Sequence, residues 1–433
     1  MSTVTVKTLA PRSPRKGQIK NHHNSNPPSS FKNPWPSVGT RNSPLTMFQA
    51  RFGGERTFVP VPTAQDGARS EELVKVRRPD WGVDRKDRLR ATWLGHAGFL
   101  VEFPATPGAE RGIRILCDPV FSERTSPVQF FGPKRYTPPP IPLDEMPDVD
   151  VICISHDHYD HLDFATVQHI YNKRKGHLHF IAGLNNKAWF MQHLGCATDE
   201  VTDADWWDSF EIRSEKFGSV TMTCCPTQHF SGRAPLSMGH TLWCSWAFEA
   251  AGRKLYFAGD TAYQANDTPS PCPAFVEIGE TLGPFDLAMV PIGLMTPQKI
   301  MGGVHATPEQ SIHIHREVRS KLSIGMHYGT VRGGISAHYE DVRDPPRRWR
   351  EAAEKEGIWC GGGIEGNGVA IDVQKEGVGL CDKSSEARLS EIKRNNLEDL
   401  FATPHPLLHE YFAPERKMHI NLPEVRRCPG HDV

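Results

Sequence analysis

Residues 155–163 read Ser-His-Asp-His-Tyr-Asp-His-Leu-Asp, which places His156, His158, Asp160 and His161 within six positions, directly behind the apolar run Val149–Ile154. An apolar run of that length reads as a buried strand. A strand that stops at Ser155 leaves a turning backbone from which side chains can converge on ions a few ångströms apart. Imidazole and carboxylate donors together suit zinc and its borderline neighbours. With 21 histidines in 433 residues some clustering is expected by chance, and a surface histidine tract can bind metal adventitiously, so the rest of the chain has to decide.

It supplies further donors. The run Val220–Gln228 leads to His229, Lys254–Gly259 to Asp260, and Leu322–Met326 to His327. Each short hydrophobic segment delivers one polar residue to its C-terminal tip, where the ligands of α/β sheets collect. One histidine behind one strand is usually a satisfied core or surface residue. Four such segments in one chain argue for a single site.

With these residues in place the chain resembles the metallo-β-lactamase superfamily. The HxHxDH motif is met by His156, His158, Asp160 and His161, and the later His, Asp and His by His229, Asp260 and His327. The resemblance implies an α/β fold, an αββα sandwich, with two metal ions. One would be bound by His156, His158 and His229, the other by Asp160, His161 and His327, with Asp260 bridging.

A narrower similarity runs over roughly residues 31–373. Phe31-Lys-Asn-Pro-Trp-Pro, Trp93-Leu-Gly-His-Ala, the segment Asp118–Tyr136, Gln228-His-Phe-Ser-Gly-Arg, Gly259-Asp-Thr-Ala-Tyr and Met326-His-Tyr-Gly-Thr resemble the N-acyl-phosphatidylethanolamine-hydrolysing phospholipase D family. That family's substrate-contacting Tyr within the motif and His before a helix correspond to Tyr159 and His305. The resemblance implies hydrolysis of N-acyl-phosphatidylethanolamine to N-acylethanolamine and phosphatidic acid, and a homodimer. The words between His229 and Asp260, including Trp243-Cys-Ser-Trp, are only loosely similar, and the tail after Val373 has no counterpart.

The expected chemistry follows from the donors. Two divalent ions, with zinc expected, make hydroxide available near neutral pH and clamp a phosphoryl group. Asp260 would combine ligation with proton acceptance. His305 precedes a helix capped at Thr307 with Pro308 first. It could donate to the phosphate or protonate the leaving alcohol; a local turn contact is the alternative. Another hydrolase on the scaffold, a sugar-phosphate lactonase or a nuclease, is a second reading, and a non-catalytic lipid-binding protein a third.

Composition bounds the rest. A formal net charge of −1 gives no basic footprint for nucleic acid. Runs such as Leu287–Met295 are far too short to span a bilayer, so membrane contact is expected to be peripheral. Phe121, Phe130 and Phe131 near Lys134 and Arg135 would suit an anionic bilayer surface. The ten cysteines lack a CxxC pair or a disulfide-framework density; they read as buried free thiols in a reducing compartment. The expected location is intracellular, cytoplasmic or peripheral on a membrane, with mitochondrial import as a further option.

Three regions are expected: a disordered basic segment 1–45, with no acidic residue before Glu55; a catalytic domain 46–375; and an extension 376–433. Within the domain, Arg90–Glu102 reads as two strands about a Gly turn and Ile113–Cys117 as a third. His96 in that turn either faces the site or is structural. Strand His179–Ala182 separates helices Phe164–Lys173 and Asn186–Leu194; Pro308–Lys321 and Pro346–Glu356 are later helices, and Ala387–Leu400 a mixed-charge one.

Overall fold

The computed structural model describes residues 3–12, 20–40, 42–53, 61, 74, 76–82, 84–234, 236–333, 335–359, 370–372 and 380–381. Met1–Lys383 form one compact unit; the expected helix Ala387–Leu400 and the rest of the tail lie outside the described residues.

Two sheets build this unit. In chain order the strands are β1 Val4–Thr8, β2 Arg90–Gly95, β3 Gly98–Glu102, β4 Arg114–Cys117, β5 Val151–Cys153, β6 His179–Gly183, β7 Val201–Ala204, β8 Ser209–Ser214, β9 Gly218–Cys225, β10 Ser245–Ala250, β11 Arg253–Phe257, β12 Leu287–Pro291, β13 Leu322–Met326, β14 Ala370–Asp372 and β15 Leu380–Cys381. One sheet has the order β14-β2-β3-β4-β5-β6-β7, the other β1-β8-β9-β10-β11-β12-β13-β15. Each passes from antiparallel hairpins to parallel strands, β4-β5-β6-β7 in the first and β11-β12-β13 in the second.

The parallel strands read as continuous apolar runs because both of their faces are covered. Alternation along the chain sorts their residues between two cores. Val151 and Cys153 of β5 join Phe99, Val101, Ile115, Trp246 and Phe257 in the main core. Ile152 and Ile154 instead join Leu100, Leu116 and Phe180 in a second cluster with Val167 and Ile170 of the helix Phe164–Arg174. Helices Ala274–Thr281 and Pro308–Glu317 add Phe275, Ile278, Ile312 and Ile314 to the main core. The result is the expected αββα sandwich, with the parallel strands pointing their C-terminal ends toward one edge.

Local expectations hold within a residue or two, with one clear departure. The helix from Pro308 ends at Glu317, not Lys321. Arg319 takes a left-handed backbone, φ 58°, and Lys321 N donates to Phe285 O at 2.8 Å, so the chain leaves the helix early to enter β13. The cap is as expected: Thr307 accepts from Gln310 N, with Pro308 behind it.

The expectation of disorder over residues 1–45 is corrected for the described part, residues 3–12, 20–40 and 42–45. Val4–Thr8 pairs antiparallel with β8 from Val4↔Ser214 to Thr8↔Phe210. Residues 20–33 are tied down by Phe31 N to Gly239 O at 2.7 Å and Asn33 Nδ2 to His229 O at 2.7 Å. A polar composition misleads here because a free sheet edge satisfies the backbone and Val4 needs only one apolar seat, in the main core. The described residues before 46 therefore belong with the sandwich. The boundary at 376 moves, because β15 pairs with β13 at Leu322↔Cys381.

Candidate metal centre

All seven expected ligands meet at the strand ends. His156, His158, Asp160 and His161 lie in the turn after β5, His229 follows β9, Asp260 follows β11, and His327 follows β13. His156 Nε2 is 2.8 Å from His158 Nδ1, which is 3.4 Å from His229 Nε2. A second group joins Asp160, His161 and His327, with His161 Nε2 3.1 Å from His327 Nε2. Asp260 lies between the two. Its Oδ2 is 3.2 Å from His161 Nε2 and 3.6 Å from His229 Nε2, and its Oδ1 is 2.9 Å from His327 Nε2.

These donors fit a pair of divalent cations. Ring nitrogens facing one another at such distances cannot all be satisfied by protons, whereas tetrahedral ligands about 2.0–2.1 Å from a shared zinc lie roughly 3.3 Å apart. Burial, the largest influence, pushes His158 down to about 3 and His229 to about 4. Both imidazoles are therefore neutral at pH 7 and keep a lone pair for ligation. At His327 burial pulls the same way, but the carboxylates of Asp260 and Asp160 outweigh it and lift the group to about 9. Burial is likewise outweighed at His161 by Asp260, Asp118 and Asp160, which hold it well above its ordinary value. The field here favours positive charge.

Contacts behind the ligands fix their orientation. His229 Nδ1 meets Val304 O at 2.7 Å, and His161 Nδ1 meets Asp118 Oδ2 at 2.6 Å. Asp118 also accepts from Ser155 N at 2.8 Å and from Ser155 Oγ at 2.5 Å. Such contacts set the tautomer and aim the ring. Asp118, His96 and His327 all have positive φ, at 39°, 53° and 63°, a conformation that non-glycine residues hold only when their surroundings impose it.

Several placements answer or correct the sequence reading. His96 faces the site: its Nε2 lies 3.0 Å from Asp160 Oδ2, while its O accepts from His327 N at 3.0 Å and from Trp93 Nε1 at 2.8 Å. His305 is buried beside Asp260 and His229, its ring 5.1 Å from that of His229, and its Nδ1 has no hydrogen-bond partner. Tyr159, expected against the substrate, donates to Arg233 O at 3.1 Å and lies under the Arg233 guanidinium at 4.0 Å. Asp118 was missed as a site residue, although it too follows an apolar strand, β4. Arg233 was missed as well; its Nη1 donates to Asp157 O and Leu162 O at 2.7 and 2.9 Å and so spans the ligand turn. It closes the Gln228-His-Phe-Ser-Gly-Arg segment that carries part of the family similarity, which was the signal for it.

The centre opens into a cleft of about 1840 Å³ lined by His158, Asp160, His229, Asp260 and His305. Phe230, Met238, Leu294, Ile300, Met301 and Ile335 supply apolar wall, and residues 30–33, 38–40, 42, 43, 46 and 47 form another side.

Comparison with known proteins agrees with this architecture. A β-lactamase superfamily domain model matches residues 113–328. The chain is 38% identical over 270 residues to N-acyl-phosphatidylethanolamine-hydrolysing phospholipase D 1 of Caenorhabditis elegans, spanning 61% of this chain and 71% of that protein. It is 34% identical over 312 residues to an uncharacterised protein of Mycobacterium tuberculosis, 71% of this chain and 72% of that one. A mitochondrial N-acyl-phosphatidylethanolamine-hydrolysing phospholipase D of Saccharomyces cerevisiae is 30% identical over 241 residues, 55% of this chain and 47% of that protein. With the ligand set, the sandwich and these similarities together, the chain is a metallo-β-lactamase-fold hydrolase that belongs to the N-acyl-phosphatidylethanolamine-hydrolysing phospholipase D family.

Proposed function

We propose that this hydrolase cleaves the head-group side of the phosphodiester of N-acyl-phosphatidylethanolamine, releasing N-acylethanolamine and phosphatidic acid. The observation that carries the reading is the Asp260 carboxylate set between two histidine groups at the base of a large, partly apolar cleft. Two divalent ions, zinc by donor type, would be held by His156, His158 and His229 and by Asp160, His161 and His327, with Asp260 shared. When bound, such ions supply hydroxide near neutral pH and neutralise phosphoryl charge.

The chain's own groups do the rest. Asp260 holds its position through His161 and His327 and is placed to accept a proton. Burial keeps His305 well below the ordinary imidazole range, so it acts as a neutral N–H donor toward a phosphoryl oxygen. The apolar wall from Phe230 to Ile335 receives acyl carbons. Tyr159 contributes by bracing Arg233 and the ligand turn.

Peripheral docking on an intracellular membrane completes the proposal. No helix among the described residues is long and apolar enough to cross a bilayer. The helix Pro44–Phe52 borders the cleft through Thr46 and Met47 and exposes Leu45, Phe48 and Phe52. Phe130 and Phe131 are 84% and 74% exposed beside Lys134. Such apolar and basic surfaces favour interfacial binding. A mitochondrial membrane is one candidate, by similarity to the yeast relative.

The test is a metal-replete assay on mixed micelles of N-acyl-phosphatidylethanolamine with mass-spectrometric detection of both products and Asp260→Asn as control. Both products from the wild type alone support the proposal. No release from protein carrying two metals sinks the substrate assignment.

A further inference from the structure

A second group of metal donors lies away from this centre and shares no residue with it. His22, His23 and Asp205 bring three ligand-type atoms together. His22 Nε2 is 2.7 Å from Asp205 Oδ1, and His23 Nε2 is 3.0 Å from Asp205 Oδ2. His22 and Asp205 are buried. The ring of His22 is clamped flat on Trp206, centroids 4.1 Å apart at 24°, and the rings of His22 and His23 meet edge to face at 4.3 Å. Both Nε2 atoms are therefore held toward one carboxylate.

The geometry at His23 is the telling part. Its Nε2 is buried and lacks a hydrogen bond of acceptable direction, although Asp205 Oδ2 is only 3.0 Å away. Two atoms at that distance whose polar directions do not point at each other are arranged like neighbouring ligands of one ion. The open side is a cavity of about 770 Å³ lined by His23, Asn24, Ser25, Asp205 and Asp208, room for a water as the fourth ligand. Two imidazoles and one carboxylate with an open position form a donor set that suits zinc and related divalent ions.

We infer that His22, His23 and Asp205 form a further divalent-cation site, of the zinc class, that staples the N-terminal segment to the sandwich. Binding displaces the proton on His22 Nε2. Lys20 Nζ, 2.5 Å from Asp205 Oδ2, competes with the ion, and its exposed side chain can swing away. The staple reaches the catalytic cleft. From His23 the chain continues to Phe31 and to Asn33, whose Nδ2 donates to His229 O at 2.7 Å, and residues 30–33 form cleft wall.

The test uses the untagged full-length chain. Zinc per chain is counted by mass spectrometry after gel filtration, and affinity is measured by competition with a chromophoric chelator. Wild type is expected to hold one zinc more than His22→Ala or His23→Ala, and Lys20→Met to bind that ion several-fold tighter. Zinc should also slow proteolysis of the first forty residues in wild type but not in His23→Ala. Circular dichroism checks that the histidine variants fold. Lys20→Met decides the matter if they do not, since a purely ionic cluster would be loosened by losing the lysine. Equal zinc counts in all variants, or weaker zinc binding in Lys20→Met, overturns the inference.

Discussion

Asp118 Oδ2 lies 2.6 Å from His161 Nδ1, with both side chains wholly buried. The same carboxylate receives the amide and hydroxyl of Ser155, so one residue at the end of β4 sets the ring of a ligand and the start of the ligand turn. Loss of such a supporting carboxylate typically costs 10–100-fold in metal affinity. Asp118→Asn should therefore bind zinc about 10–100-fold more weakly, read by chelator competition. An unchanged affinity would mean that the ring is held by packing alone.

Asp260→Asn should lower turnover by about 10²–10⁴-fold, the range expected for a positioned proton acceptor, and more if an ion is lost with it. Its thermal unfolding should stay cooperative, because the substitution is isosteric. Product release measured alongside calorimetry separates a chemical defect from collapse of the fold.

Gly259, with φ 58°, precedes the bridging carboxylate, and a Cβ there would sit 2.6 Å from Ser155 Cβ. Neither the angle nor the space accepts a side chain. Gly259→Ala should cost about 1–3 kcal/mol from backbone strain, seen as a lower urea midpoint, with a further loss of metal affinity as Asp260 and Ser155 are pushed apart.

His179 on β6 gives a pH signature independent of the metal centre. Burial first, then Lys187, hold it down to about 4 from an ordinary 6.5. Between those values the unfolded chain binds a proton that the folded chain refuses, so stability rises with pH across the window and is lost as pH falls through it. The whole shift is worth about 3 kcal/mol. Urea midpoints at pH 7 and pH 5 should differ less in His179→Gln than in wild type. An equal slope would assign the acid sensitivity elsewhere.

Phe130 and Phe131 stand exposed on a loop whose Lys134 pairs with the exposed Glu123 at 2.6 Å. Burying one Phe side chain is worth about 1.5–3 kcal/mol. Phe130→Ser with Phe131→Ser should therefore weaken partition onto anionic vesicles by about tenfold or more, while hydrolysis of monomeric short-chain substrate is unaffected. Sedimentation with vesicles reads the first quantity; unchanged partition would move the docking surface to the helix Pro44–Phe52.

The seven donor residues were legible because they obey a local rule: an apolar strand ends and one or more donors follow. Asp118 obeys the same rule after β4 and could have been read with them. Arg233 ended a family-like segment, but its span of the ligand turn and the bracing position of Tyr159 could not be read, because what defines them is which backbone carbonyls lie opposite after folding. Residues 3–12 and 20–33 were misread for a related reason. Their composition suits disorder, but β8 offers an edge, and Trp206 with Asp205 offers a seat, for a segment with few apolar groups of its own.

The amino-acid sequence by itself marked the seven donor residues, because apolar runs and the residues at their tips are properties of neighbours along the chain, and the resemblance those residues carry implied the sandwich. Only the tertiary structure decided that His96 turns toward Asp160 and that His22 and His23 meet Asp205. These are contacts between residues as far as 183 positions apart, as in His22 and Asp205, and they are fixed by how distant segments are brought together in the fold, which no local pattern encodes.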